Sequence, residues 1–268
     1  MKLTLRRTGA LGDVILATPV LRRLRQRYPQ AEIAFETAYP DVFRHNPHLG
    51  GPESGEDDLV YNLDLAYERQ PQLHVVEAYM QVVFGDRGDR ADWRPELFPR
   101  YTMRMPDNAI AVHAAVAGWY NRTLPRVFWK RVLQLLCDEG FWPVLVGTEQ
   151  DRVFGFECTT FNSPDLMAQA SVIRACKGFI GSDSSLMHVA SAMGGPMVGI
   201  FTSVDPATRL PFEPDRCRAV VADMECIGCH NRRPPPVTME ACERGDTACI
   251  KAVRPEAVIE ALMEMVQS

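Results

Sequence analysis

Apolar and polar positions along the chain fall into two alternating patterns. Residues 2–7, 31–37 and 59–65 form short runs with the character of strands. Residues 14–27 instead place Val14, Leu16, Val20, Leu21 and Leu24 on one side of a helix, and residues 74–85 read as a second helix closed by Gly85. Residues 46–58, "NPHLGGPESGEDD", have the composition of a loop. After "RYTMRMPDN" at 100–108 a second alternation begins. Strands are predicted at 109–115, 141–147, 178–183, 195–201 and 217–222, and helices at 125–139, 163–177, 184–194 and 254–267. Pro125 suits a first helical turn, where a missing N–H costs nothing, and Ser163 is the expected N-cap of its helix. Strand and helix in this order predict an α/β fold with parallel sheets. Two consecutive Rossmann-like halves are expected, one over residues 1–105 and one over 106–268.

Composition narrows the class without changing the fold. The chain has 268 residues, 46% hydrophobic and 24% charged, enough for two globular cores. Its net charge of −5 gives no general case for nucleic-acid binding. No run of 18 apolar residues is present, so no membrane span is expected. Residues 8–20 follow Lys2, Arg6 and Arg7 in the manner of a secretory segment. Asp13 interrupts that segment, and Arg22 and Arg23 stand where a cleavage site belongs. The expectation is a cytoplasmic protein, in which disulfides are rare.

Two segments carry ligand chemistry. In "RRTGALGDVILATP" (6–19), Gly9 and Gly12 permit close backbone approach and the next helix offers free N–H groups. Asp13 there is either a helix cap or a carboxylate facing a ligand. The spacing is not that of a dinucleotide fingerprint. In "GSDSSLMHVASAMGGP" (181–196), Asp183, Ser184 and Ser185 open a helix whose N–H groups, hydroxyls and dipole suit a phosphate. The alternative is a well-capped helix with His188 in its core.

Together, "TGALGDVILATPVLRRLRQRYPQAEI" and "GFIGSDSSLMHVASAMGGPMVGIF" resemble glycosyltransferase family 9, the heptosyltransferases. The likeness is strong over 1–37 and 109–212 and weaker between them. It implies the GT-B fold, two Rossmann-like domains facing across a cleft, here with a shortened amino-terminal domain. Residues 1–105 would bind the acceptor and 106–268 the nucleotide-sugar. The implied reaction is an inverting transfer of a heptose-like sugar, with ADP-heptose the favoured donor and no catalytic metal. By the same resemblance Asp13 is the general base and Arg122 the phosphate-contacting cation. Gly12, Asp183, Ser184, Ser185, Leu186 and His188 match the nucleotide loops, with Ser185 standing where the family usually has glycine. Thr148 and Glu149 match positions near the nucleoside, and Leu166 would border the base. A catalytically inactive nucleotide-binding module is the rival from another class.

Arg22, Arg23, Arg25 and Arg27, after Arg6 and Arg7, are either a solvated helix face or a surface for an acidic glycan acceptor, with membrane-surface association a further expectation. Four cysteines cluster between 226 and 249. Cys226 and Cys229 form C-x₂-C, followed by Cys242 and Cys249. In a cytoplasmic chain this spacing reads as a structural zinc or iron site, with disulfides or free thiols as alternatives. A metal- or redox-sensing protein built on this segment is the remaining rival function.

Overall fold

The computed structural model describes residues 1–52, 58–114, 120–151, 153, 155–211, 213, 215–232 and 242–266. Three strands, β1 (Lys2–Arg6), β2 (Glu32–Glu36) and β3 (Asp58–Asn62), form a parallel sheet in the order β2-β1-β3. Leu5 of β1 lies between Phe35 and Tyr61. A second sheet holds β4 (Ala109–His113), β5 (Trp142–Gly147), β6 (Thr159–Asn162), β7 (Gly178–Ser182), β8 (Met197–Phe201) and β9 (Cys217–Val221). Its order is β6-β5-β4-β7-β8-β9, and every pairing is parallel. This is the doubly wound Rossmann order. It reverses between β4 and β7, where a crevice opens at the carboxyl ends of the strands.

Helices cover both faces of the larger sheet, so its central strands read as nearly continuous apolar runs. Every residue of β4, β7 and β8 is buried. On one face α4 (Arg126–Asp138) and α8 (Pro255–Val266) share a core with Ile110, Val112, Ile180 and Val198. The other core is continuous between the two sheets. It joins Leu3, Leu5 and Val14 to Leu166, Met167, Leu186 and Met187, from α5 (Leu166–Ala175) and α6 (Ser185–Met193). The cleft therefore opens between halves that share apolar packing.

Several boundaries differ from the sequence expectation for definable reasons. The first helix begins at residue 11 and breaks at Ala17, giving α1 (Leu11–Leu16) and α2 (Thr18–Arg27). Pro19 has no N–H for the Ile15 carbonyl, and the Thr18 hydroxyl donates to it instead, at 2.8 Å. α3 spans Val75–Phe84 and ends at Gly85 in the left-handed conformation. The cap of α5 is Asp165 rather than Ser163. Its Oδ1 accepts from the N–H groups of Met167 and Ala168, while the Ser163 hydroxyl accepts from the Asp165 N–H. The edge strand β6, "TTFN", escapes the apolar pattern because its outer residues are exposed. The five-residue α7 (Ala248–Ala252) is too short to show a period. The Pro-rich run 232–236 falls largely outside the described residues. No described helix is long and apolar enough to cross a membrane.

Candidate active site

The chain turns sharply after β1. Ala10, the residue capping α1, has φ of 51°, a left-handed value that costs a non-glycine residue about 1–2 kcal/mol. Asp13 follows in the first turn of α1, and its side chain caps nothing. Its Oδ2 instead accepts from Arg7 Nη2 at 2.5 Å and from the Tyr67 hydroxyl at 3.1 Å. Arg7 is itself buried and also binds Glu68 at 2.7 Å. Burial pushes the Asp13 carboxyl above the ordinary carboxylate value, against the pull of Arg7 and Arg209.

Gly12 has a reason that motif reading did not supply. A Cβ there would stand 2.9 Å from His188 Cδ2 and 3.5 Å from Ser185 Cα. The glycine lets α1 approach the start of α6, which sets the two motifs side by side. Gly9 has open space around it, so no close approach requires it.

The opposite wall lies at the β4–β7 reversal. Ser184 caps α6 without a side-chain cap bond. Its hydroxyl meets His113 Nδ1 at 2.9 Å, and His113 Nε2 lies 3.1 Å from Asp151 Oδ1. Asp151 in turn accepts from the N–H and hydroxyl of Thr148. His113 Nε2–H donates to Asp151, and Nδ1 shares its hydrogen bond with the Ser184 hydroxyl. The Ser184 hydroxyl is then engaged within the protein, so α6 presents backbone N–H groups to an anion. Arg122 donates from Nη1 to Asp183 Oδ2 at 2.7 Å and to the Asp183 carbonyl at 3.1 Å. Burial disfavours the Asp183 carboxylate, but Arg122, Arg209 and His188 outweigh it and hold the group below its ordinary value. Burial also lowers His188 to about 4, with Arg209 and Arg122 adding to the shift against Asp183, so its imidazole is neutral near pH 7.

These walls enclose a cleft of about 790 Å³. Asp13, Gly12 and Tyr67 line it from the smaller sheet's side. Arg122, Thr148, Glu149, Leu166, Asp183, Ser184, Ser185, Leu186 and His188 line it from the other. The structure thus brings together all eleven residues that the sequence placed at the catalytic and nucleotide sites. Glu149 accepts from Asn162 Nδ2 at 2.9 Å. Sequence reading missed Arg7, Tyr67, His113, Asp151 and Arg209. Of these, Arg7, His113 and Asp151 carried a signal, Arg7 and His113 as polar residues near the ends of predicted strands and Asp151 in the segment that follows one.

The arginine-rich segment resolves differently. Arg6 pairs with Glu36, Arg22 with Glu96 and Arg23 with Asp86, while Arg25 holds the carbonyls of Pro29, Ala31, His48 and Gly50. Arg27 lies over the rings of Tyr28 and Phe84. These side chains are engaged in holding the fold, which weighs against an acceptor patch on this face.

The four clustered cysteines are free thiols, Cys229 and Cys249 buried, Cys226 and Cys242 half-buried. They do not form the expected ligand set: no group of three or more His, Cys, Asp or Glu side chains that could hold a metal occurs among the described residues. The loop at Cys242 nevertheless favours a thiolate. Burial opposes it, but backbone N–H groups from Thr247, Arg244, Gly245 and Asp246 lower the thiol below its ordinary value. Cys226, Cys229 and Cys242 are near enough to raise Cys249, after burial.

Two parallel sheets facing a shared cleft, with a buried carboxylate on one wall and a helix start on the other, define a two-domain α/β protein of the GT-B type. The chain belongs to glycosyltransferase family 9 (heptosyltransferase), whose model matches residues 59–235. Over 95 residues it is 30% identical to lipopolysaccharide heptosyltransferase 2 of Escherichia coli (strain K12), a match covering 31% of this chain and only 27% of that protein. Two solved structures share the fold. The iron-containing dodecameric glycosyltransferase TibC from enterotoxigenic E. coli H10407 aligns with a TM-score of 0.80 at 15% identity, over 99% of this chain and 76% of that one. The E. coli ADP-heptose LPS heptosyltransferase II aligns with a TM-score of 0.71 at 16% identity, over 100% and 99% of the two chains.

Proposed function

We propose that this protein transfers a heptose-like sugar from ADP-heptose to a hydroxyl of a lipopolysaccharide-type glycan, with inversion at the anomeric carbon. The observation that carries this reading is the raised, buried Asp13 carboxylate on the wall facing the α6 helix start. In the reaction the acceptor oxygen attacks the anomeric carbon, its proton passes to Asp13, and the bond to the diphosphate breaks. Asp13 and Asp183 have opposite environments, one raised and one lowered, which is the pattern of a base beside a permanent anion. The α6 N–H groups would hold the diphosphate. Arg122 would act mainly by holding Asp183, and the amino-terminal half would receive the acceptor. The names of the family relatives support the donor and acceptor classes. We place the reaction in the cytoplasm, where the free thiols would persist.

The test is turnover of ADP-heptose with a heptose-deficient lipopolysaccharide core, followed by ADP release. Release by the wild type but not by Asp13→Asn supports the transferase. ADP binding without turnover in the wild type would favour the inactive nucleotide-binding module.

The iron content of the relative TibC and the backbone N–H groups around Cys242 support a second assignment, a structural metal on Cys226, Cys229, Cys242 and Cys249, whose thiols are not drawn into a ligand set in this structure and would have to close around it. The metal would tie the Pro-rich loop to the rest of the chain. About one zinc or iron per purified chain is expected. Four thiols that react freely under native conditions, with no metal bound, would exclude it.

A further inference from the structure

Arg209 is a cation of the cleft that makes no ion pair among the described residues. It follows a short turn, Pro206–Thr208, capped by Asp205, and only 7% of it is exposed. Its guanidinium lies 4.8 Å from the ring centroid of Tyr67, across the junction of the two halves. Nη1 donates to the carbonyl and the hydroxyl of Thr208, both neutral acceptors. Among the described residues no carboxylate stands within 4.0 Å of it. The two nearby acids are taken, Asp13 by Arg7 and Asp183 by Arg122. Those acids and the Tyr67 ring raise the Arg209 guanidinium above its ordinary value despite burial, so the group is charged. A buried guanidinium without a paired anion is costly to keep. Its planar fork matches the oxygens of a phosphate. It also lines the same cleft as Asp13, Ser184 and Ser185.

We propose that Arg209 binds the sugar-linked phosphate of a nucleoside diphosphate-sugar and stabilises its charge as the anomeric bond breaks. The inference rests on the transferase reading and adds to it the residue that receives the leaving group. The electron pair of the broken C–O bond goes to the diphosphate oxygen, which Arg209 holds. The acceptor oxygen forms the new bond, and its proton goes to Asp13. Arg122 Nη1 is already committed to the carboxylate and the carbonyl of Asp183, so the two arginines divide the work between structure and substrate.

Titration calorimetry with ADP and AMP tests the assignment on wild type, Arg209→Gln and Arg209→Lys. Loss of a charge-assisted phosphate contact predicts that Arg209→Gln weakens ADP by about 10- to 100-fold. AMP, which lacks the second phosphate, should change by less than about threefold, within the scatter of an uninvolved site. Arg209→Lys keeps the charge without the fork, and its ADP affinity should fall between the two. If Arg209→Gln does not fold, the lysine variant carries the same comparison. Equal losses for ADP and AMP, or an unchanged ADP affinity, would overturn the proposal while leaving the transferase reading intact. A wild-type protein that binds neither nucleotide would overturn both.

Discussion

Replacing Asp13 by asparagine removes a proton acceptor while keeping the shape of a buried side chain. The amide can still accept from Arg7 and Tyr67, and Arg7 retains Glu68 at 2.7 Å. Nucleotide binding should therefore survive. A positioned general base contributes about 10²–10⁴-fold, so turnover should fall by that factor, equivalent to about 3–5 kcal/mol of barrier. The pH dependence makes the test sharper. Burial raises the Asp13 carboxyl above its ordinary 3.8, so kcat/KM of the wild type should climb with pH through that raised value as the base loses its proton. The variant should lack this limb. Stability should move the other way. A carboxyl raised in the folded chain binds its proton more tightly there. It costs stability as pH rises from 3.8 through the raised value, and the full cost persists above it. Asp13→Asn should then be at least as stable as wild type near pH 7 and lose that advantage below pH 3.8. ADP release kinetics across pH, with denaturant melts at matching points, read both effects. A variant within about threefold of wild-type turnover, far short of the loss expected for a base, would refute the assignment.

Other substitutions probe the supports of the site. Gly12→Ala puts a methyl 2.9 Å from His188 Cδ2, so overpacking should cost about 1–3 kcal/mol in urea unfolding and weaken ADP by separating α1 from α6. Arg7→Met removes a cation that lowers the Asp13 carboxyl, so the acid limb of kcat/KM should shift to higher pH by about one unit or more; an unmoved limb would show that Arg7 does not tune the base. Asp165→Ala removes the α5 cap and the partner of Arg44 and Tyr101, which should cost about 1 kcal/mol at neutral pH. Burial opposes the Asp165 carboxylate, but these partners hold the group at about 2. Thermal melts should thus converge for variant and wild type as pH falls from 3.8 through about 2.

Local chemistry determines much of this protein. The apolar periods mark eight of the nine strands, most plainly β4, β7 and β8, because parallel strands buried on both faces must be apolar throughout. The two loops around Asp13 and Ser184 are legible because each couples a strand end to a helix start within a few residues. Their likeness to glycosyltransferase family 9 rests on such short-range patterns. What remained hidden depends on contacts between distant positions. Tyr67 is an ordinary residue until a 54-residue excursion returns the chain to Asp13's side. The Ser184–His113–Asp151 array exists only because β4 lies between β5 and β7. Arg22 and Arg23 of α2 look like Arg209 as sequence, and among the described residues only the placement of carboxylates in space tells them apart. Strand order, not residue type, converts Asp13 from a possible cap into a buried carboxylate facing a cleft. Residue types and short spacings are written along the chain, whereas charge balance and burial are properties of neighbours that only packing assembles.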